Sequence, residues 1–209
     1  MIDDNKDCLL IIDVQNDFCP GGALEVPNGD EVVEVINALG QKFDHKLLTQ
    51  DWHPARHQSF ASAHAGKAPF EVIELAYGDQ VLWPDHCVQG TQGAAFHKAL
   101  NVDGAELVIR KGFRRTIDSY SAFFENDKAT PTGLSGYLRT RGFERIFMAG
   151  LATDFCVAYS ALDATSQGFD VVLIEDACRA IDLDGSLAAM KAQMNEAGVE
   201  FMQSGQISA

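Results

Sequence analysis

Continuously apolar runs recur along the chain and alternate with amphipathic stretches. They lie at 8–14 (CLLIIDV), 46–50 (KLLTQ), 106–110 (ELVIR), 145–149 (RIFMA) and 170–174 (DVVLI), with 199–202 (VEFM) as a sixth. Runs that are apolar throughout, more than alternating, are the pattern of strands covered on both faces. After the first run, Asp30 precedes Val32, Val33, Val35, Ile36 and Leu39 at helical spacing, which predicts a helix with Asp30 as its N-cap. Residues 132–141 place Leu134, Tyr137 and Leu138 on one side before a stop at Gly142. Residues 154–167 carry Val157, Ala161, Leu162 and Ala164 before Gly168, and 184–197 carry Leu187, Met190 and Met194 before Gly198. Strand, helix and glycine stop in repeated order predict an α/β fold, a doubly wound parallel sheet of about six strands with helices on both faces.

Two segments, 54–96 and 111–131, break this rhythm. Long irregular stretches inside a compact domain are either functional or disordered. Trp83, Phe113, Tyr120, Phe123 and Phe124 within them favour function. No repeat, low-complexity tract or Pro/Gly/Ser linker divides the chain, so 1–209 reads as one domain with an irregular region over 54–96.

Composition narrows the classes of activity. Hydrophobic residues at 46% and charged residues at 22% are those of a globular chain able to bury a core. The net charge of -14 repels phosphate backbones and anionic lipid, so neither a nucleic acid nor a membrane is expected as partner. No stretch approaches the roughly 18 apolar residues of a membrane span, and the acidic start (Met1, Ile2, Asp3, Asp4) is unlike a signal peptide. The expected location is the cytoplasm. Five scattered cysteines with no CxxC pair argue for reduced thiols rather than a disulfide framework.

In an open α/β sheet, ligands bind beyond the carboxyl ends of the strands. The first four runs deliver Asp13; then Asp51, Trp52 and His53; then Arg110 and Lys111; then 151–156, ending in Cys156. Cys156, in the first turn of a helix, is the candidate nucleophile, since unpaired N–H groups and the helix dipole favour a thiolate there. The bland alternative, an inert packing cysteine, fits Cys8 and Cys178 in or beside strands and still leads for Cys19 and Cys87 in loops. Asp13 is the candidate general base, against the alternative of a carboxylate capping a turn. Lys111 could be a surface lysine, but beside a carboxylate and a thiol it would stabilise the thiolate and orient the carboxylate. Asp51 and His53 are two apart on an extended chain and point the same way, a pairing suited to zinc, iron or manganese. His86, in the restrained stretch Trp83-Pro84-Asp85-His86-Cys87, is a third candidate ligand, and His57 stays open. His45, His64 and His97 read as surface or structural residues. Phe18, Trp83 and Tyr120 could wall a flat pocket or be ordinary core aromatics.

The run Asp13-Val14-Gln15-Asn16-Asp17-Phe18, followed by Pro20-Gly21-Gly22-Ala23-Leu24, resembles the N-terminal signature of bacterial nicotinamidases. So do Asp51-Trp52-His53-Pro54 with His57, Ser59 and Phe60; Trp83-Pro84-Asp85-His86-Cys87-Val88; Lys111-Gly112 with 118–123; and Gly150-Leu151-Ala152-Thr153-Asp154-Phe155-Cys156-Val157. These motifs span most of the chain in order and are specific jointly, not singly. The resemblance implies an isochorismatase-like fold and hydrolysis of nicotinamide to nicotinate and ammonia. Pyrazinamide, a similar flat ring with a carboxamide, is expected as a second substrate, and the purpose, NAD salvage or catabolism, stays open. The resemblance implies a triad of Asp13, Lys111 and Cys156 and a thioester on Cys156. It also implies a cis peptide between Leu151 and Ala152, and oxyanion donors at the N–H groups of Ala152 and Cys156. One divalent transition metal would be held by Asp51, His53 and His86, with His57 nearby and a ligand in some relatives. The ring would lie between Phe18, Trp83 and Tyr120. Association of identical copies stays open. Two other readings remain: a different small-amide hydrolase of the same superfamily, and a non-catalytic thiol- or metal-binding protein with Cys156 as redox sensor.

Overall fold

The structure is a computed structural model that describes residues 1–208. Eight strands run in chain order: β1 (Asp7–Ile12), β2 (Lys46–Asp51), β3 (Val72–Leu75), β4 (Gly78–Val81), β5 (Ala105–Lys111), β6 (Arg145–Leu151), β7 (Asp170–Arg179) and β8 (Glu200–Met202). The helices are α1 (Val32–Gly40), α2 (Leu134–Arg141), α3 (Ala158–Ser166) and α4 (Ser186–Glu196). Six strands pair in parallel in the order β5-β2-β1-β6-β7-β8. All six apolar runs of the sequence are strands of this sheet, and β7 extends beyond its run to Arg179.

Alternate residues of β1 explain the two-sided burial. Leu9 and Ile11 join α1, through Val32, Val33, Ile36 and Leu39, in one cluster. Cys8, Leu10 and Ile12 point the other way, into a cluster with Leu134 and Leu138 of α2, Ala161 and Ala164 of α3, and Met190 and Met194 of α4. Both faces are therefore covered, which is why β1 is buried at every position. Gly142 ends α2 in the left-handed region at φ 83°, where its N–H closes on Leu138 and Arg139.

Three local expectations differ. Asp30 lies in a short 3-10 turn, and Glu31 takes the N-cap position of α1 with no side-chain hydrogen bond. The 54–96 segment is not wholly irregular, because β3 and β4 form a two-stranded antiparallel hairpin inside it. Each of its strands is only four residues long, and its apolar residues Val72, Ile73, Leu75 and Val81 are exposed or partly buried, so it lacks the long buried apolar run of a main-sheet strand. Cys156 sits in a π-helical turn, Thr153–Val157, ahead of α3 rather than in the first turn of an α-helix.

The sheet order places the site. From β1 the chain adds β2 and β5 on one side, then crosses to add β6, β7 and β8 on the other. β1 and β6 flank the switch point, where the loops leave in opposite directions and open a crevice. Gly150 makes this pairing possible. Its φ is 127°, and a Cβ there would lie 2.0 Å from the Ile12 carbonyl oxygen.

Candidate active site

Asp13 follows β1 with φ 48°, a left-handed conformation uncommon outside glycine. Its N–H donates to Thr49 Oγ1 at 3.1 Å, and the Thr49 hydroxyl donates to Asp13 Oδ1 at 2.6 Å. The neighbouring strand thus fixes the carboxylate and leaves Oδ2 facing the crevice. Gln15 ties the same two strand ends together, donating to the Asp51 carbonyl at 2.8 Å and accepting the Asp51 N–H at 2.7 Å.

Lys111 ends β5 and is 1% exposed, although lysine is almost never buried without a partner. Its Nζ lies 2.8 Å from Asp13 Oδ2 and 3.0 Å from Asp51 Oδ1. It also donates to the Ser119 carbonyl at 3.0 Å and to Cys156 Sγ at 3.3 Å. Burial works against the ammonium, but Asp13 and Asp51 hold its pKa well above the ordinary value. The triad expected from the sequence thus converges on one nitrogen.

The remaining charges divide unevenly. Burial pushes the Asp13 carboxyl up, with Lys111 opposing it. Burial also opposes ionisation of Asp51, yet His53 and Lys111 outweigh it and hold this carboxyl well below the carboxylate range. For Cys156, burial pushes the thiol well above its usual value and Lys111 offsets only part of this. The dipole argument from the sequence favoured a thiolate; in the folded chain desolvation is the larger effect. The Asp13 and Asp51 carboxylates also work against the thiolate.

Asp51 Oδ2 faces two imidazoles. His53 Nε2 is 2.9 Å away and His86 Nε2 is 3.3 Å away. The donor atoms of Asp51, His53 and His86 all lie within 4.8 Å of one another. Each histidine has its other nitrogen against a backbone carbonyl: His53 Nδ1 at 2.9 Å from Gly112 O, His86 Nδ1 at 2.8 Å from Pro84 O. A carbonyl only accepts, so Nδ1 carries a proton in both rings, and Nε2 is the nitrogen each ring would turn to a metal ion. This carbonyl-pinned tautomer is the usual support of a metal-binding histidine. One carboxylate oxygen with two imidazoles fits a divalent transition metal. Gly112 is required here. At φ 65°, a Cβ on it would lie 2.5 Å from His53 Cε1.

His57 is treated differently by the fold. Its Nε2 faces the carbonyls of Arg114 (2.8 Å) and Ile117 (3.1 Å), and its Nδ1 meets the Ser59 hydroxyl at 2.7 Å and N–H at 3.2 Å. Both nitrogens are taken by protein, although the ring lies 4.5 Å from that of His53. A second donor group, His53, His57 and Asp118, shares His53 with the first.

A small pocket opens over Cys156 and the Asp51–His53–His86 group. Its walls include Phe18, Trp83 and Tyr120, as expected, and also Phe155, Leu24 and Ile181. Phe155 packs edge-on to Trp83 at 4.9 Å and to Tyr120 at 5.7 Å. The sequence reading missed Phe155 because an apolar residue next to the nucleophile looks like any core residue. It also missed Asp118, which lines the pocket and accepts the Ser119 N–H at 2.8 Å. The peptide between Leu151 and Ala152 is cis, and Ala152 faces the pocket beside Cys156. Asp154, buried under the turn, accepts the N–H groups of Ile181 (3.1 Å) and Asp182 (2.8 Å) and anchors the turn to the loop after β7.

Comparison with known proteins agrees with this geometry. The family model described as the isochorismatase domain matches residues 7–206. The chain is 54% identical over 200 residues to the nicotinamidase of Acinetobacter baylyi, covering 96% of this chain and 94% of that one. The solved structure of an Acinetobacter baumanii nicotinamidase/pyrazinamidase superposes with a TM-score of 0.96 at 54% identity, covering 98% and 99% of the two chains. A crystal structure of L. infantum PnC1 in complex with nicotinate gives a TM-score of 0.88 at 40% identity, covering 100% and 98%. The chain belongs to the isochorismatase family, in its nicotinamidase branch.

Proposed function

We propose that the chain is an amidohydrolase that converts nicotinamide to nicotinate and ammonia through a Cys156 thioester, and that it also takes pyrazinamide. One observation carries the mechanism: the buried Lys111 ammonium touches the candidate base, the candidate nucleophile and a metal-facing carboxylate at once.

The ring enters the aromatic pocket, between Phe18, Trp83 and Tyr120, with its carboxamide toward Cys156. Asp13 takes the thiol proton, and Lys111 stabilises both the thiolate and the carboxylate during transfer. The sulfur adds to the carboxamide carbon, and the N–H groups of Ala152 and Cys156 hold the oxyanion. Asp13 returns its proton to the departing nitrogen, so ammonia leaves and the C–N bond breaks. Water then adds to the thioester, again with Asp13 as base, releasing nicotinate and restoring the thiol. A divalent zinc, iron or manganese ion held by Asp51, His53 and His86 would supply a Lewis-acid contact for the ring nitrogen. Burial of these steps among aromatic side chains excludes bulk water and strengthens each electrostatic contact.

We read residues 1–209 as one hydrolase domain, with 54–96 supplying Trp83 and His86 to the pocket. Its place is the cytoplasm, in salvage of the nicotinamide ring for NAD. All five cysteines are free thiols in the structure, in keeping with a reducing compartment. No helix among the described residues is long and apolar enough to cross a membrane. The test is ammonia release from nicotinamide by the purified protein, before and after chelation and with metal restored. Loss on chelation and return with metal supports the reading; a folded, metal-loaded protein that releases no ammonia refutes it.

A further inference from the structure

Gln80 belongs to the hairpin strand β4, outside the main sheet, yet it is 0% exposed. A buried side-chain amide is costly unless each of its polar atoms is satisfied. Here each is. Nε2 faces the Val81 carbonyl at 2.7 Å, the Tyr120 hydroxyl at 2.9 Å and Asp118 Oδ2 at 3.0 Å. On the other side, Oε1 accepts from the Tyr77 hydroxyl at 3.0 Å and from Asn126 Nδ2 at 3.3 Å. The amide orientation follows from this environment, since the reverse assignment would set its oxygen against a carbonyl and a carboxylate.

These partners fall into two groups. Tyr77 and Val81 belong to the hairpin. Asp118, Tyr120 and Asn126 belong to the loop that follows β5, and Asp118 and Tyr120 both line the pocket. Asn126 Oδ1 accepts the Tyr120 N–H at 3.0 Å, so Gln80 and Asn126 together hold both ends of that tyrosine. Trp83 Nε1 also donates to the Tyr120 hydroxyl, at 3.1 Å. The Tyr120 oxygen thus lies within hydrogen-bond reach of Gln80 Nε2 and Trp83 Nε1, which fix the end of its ring from two sides.

We propose that Gln80 is a positioning residue for substrate: its amide joins the hairpin to Tyr120 and Asp118, so that docking the hairpin and setting the aromatic wall are one event. This rests on the nicotinamidase reading for the identity of the substrate. Gln80 does not touch the sulfur, the base or Lys111. Its loss therefore weakens binding of the ring and leaves the chemistry of Cys156 in place.

The experiment compares the metal-loaded wild type with Gln80→Leu, which keeps the side-chain bulk and removes the amide. Removing one such buried hydrogen-bonding group corresponds to about a tenfold rise in KM for nicotinamide, with kcat held within about threefold. The rate of Cys156 alkylation by iodoacetamide stays near that of wild type. Native hydrogen exchange shows amides of 72–81 and 118–126 losing protection together while β1 and β6 keep theirs. An unchanged KM in the folded variant overturns the proposal, as does a fall in kcat with KM unchanged, or unaltered protection of the hairpin. If Gln80→Leu does not fold, Tyr77→Phe removes only one donor to Gln80; it is expected to raise KM about threefold, and no change overturns the proposal. Wild type that releases no ammonia defeats the functional reading instead, and the exchange experiment still decides the role of Gln80.

Discussion

Lys111 and Cys156 meet with Nζ 3.3 Å from Sγ, the lysine 1% and the cysteine 7% exposed. The contact is a cation placed against a sulfur that burial keeps protonated. In the proposed mechanism the lysine would act when the proton moves, offsetting the charge that appears on sulfur as Asp13 receives the hydrogen. A surface lysine, free to leave and screened by water, could not do this.

Lys111→Ala is expected to lower kcat for nicotinamide by at least about a thousandfold, because residues that act as a unit lose nearly everything when one is removed. Cys156→Ala and Asp13→Ala should each do the same, and the pair Lys111→Ala/Cys156→Ala should be no worse than Cys156→Ala alone. Lys111→Ala also leaves Asp13 and Asp51 without their buried counter-charge, which costs about 3–5 kcal/mol of stability. Steady-state rates and denaturant melts check both parts, and near-normal turnover in any single variant breaks the assignment.

Gly112→Ala tests the support of His53. The added Cβ would lie 2.5 Å from His53 Cε1 and 2.7 Å from its Nδ1, at a φ of 65° that side chains seldom adopt. The ring must turn away from the Gly112 carbonyl that fixes its tautomer. Metal content by elemental analysis is expected to fall about 10- to 100-fold in affinity, the usual cost of losing such a support. Full metal occupancy at wild-type affinity would show the contact to be dispensable.

His53→Ala and His86→Ala should each lose the metal, whereas His57→Ala should keep it. Both nitrogens of His57 are engaged by Ser59 and by the carbonyls of Arg114 and Ile117. Its removal is expected to cost about 1–3 kcal/mol of stability through unpaired buried groups. Loss of metal from a folded His57→Ala protein would move His57 into the ligand set.

Pyrazinamide should be hydrolysed by the same thiol, with ammonia and pyrazinoate formed in equal amounts. Cys156→Ala must abolish both this activity and that on nicotinamide. Activity on one amide surviving that substitution would require a second site.

Much of the fold was legible because strands buried on both faces leave continuous apolar runs, as in β1 and β7. Asp13, Asp51, His53, Lys111 and Cys156 stood out as candidates near strand ends and His86 in a restrained loop, but any α/β sheet has charges at such places; the resemblance to nicotinamidases grouped them, and the structure brings them together. The β3–β4 hairpin was not: Val72, Glu74, Gly78 and Asp79 are exposed, so no apolar alternation marks it. Phe155 and Ile181 were hidden for the opposite reason, since an apolar wall and an apolar core share one composition. Gln80 carried no signal, because a polar residue in a short, half-exposed hairpin gives no hint that tertiary packing buries it. Cys156 was legible as a candidate, but the burial that pushes its thiol up was not, since desolvation depends on neighbours that only the fold supplies.

The two halves of the pocket have separate origins, with a consequence for how relatives can diverge. Asp13, Asp51, Lys111 and Cys156 come from or directly after strands of the main sheet, where any shift of register would disturb several at once. Gln80 and Trp83, both buried, come from the excursion between β2 and β5, outside the main sheet. Lengthening or recolouring that excursion can change which ring is admitted without moving the sulfur, its base or its lysine. Descendants of this scaffold can thus exchange one flat amide for another by mutation around Gln80 and Trp83, while the sulfur, its base and its lysine are inherited intact.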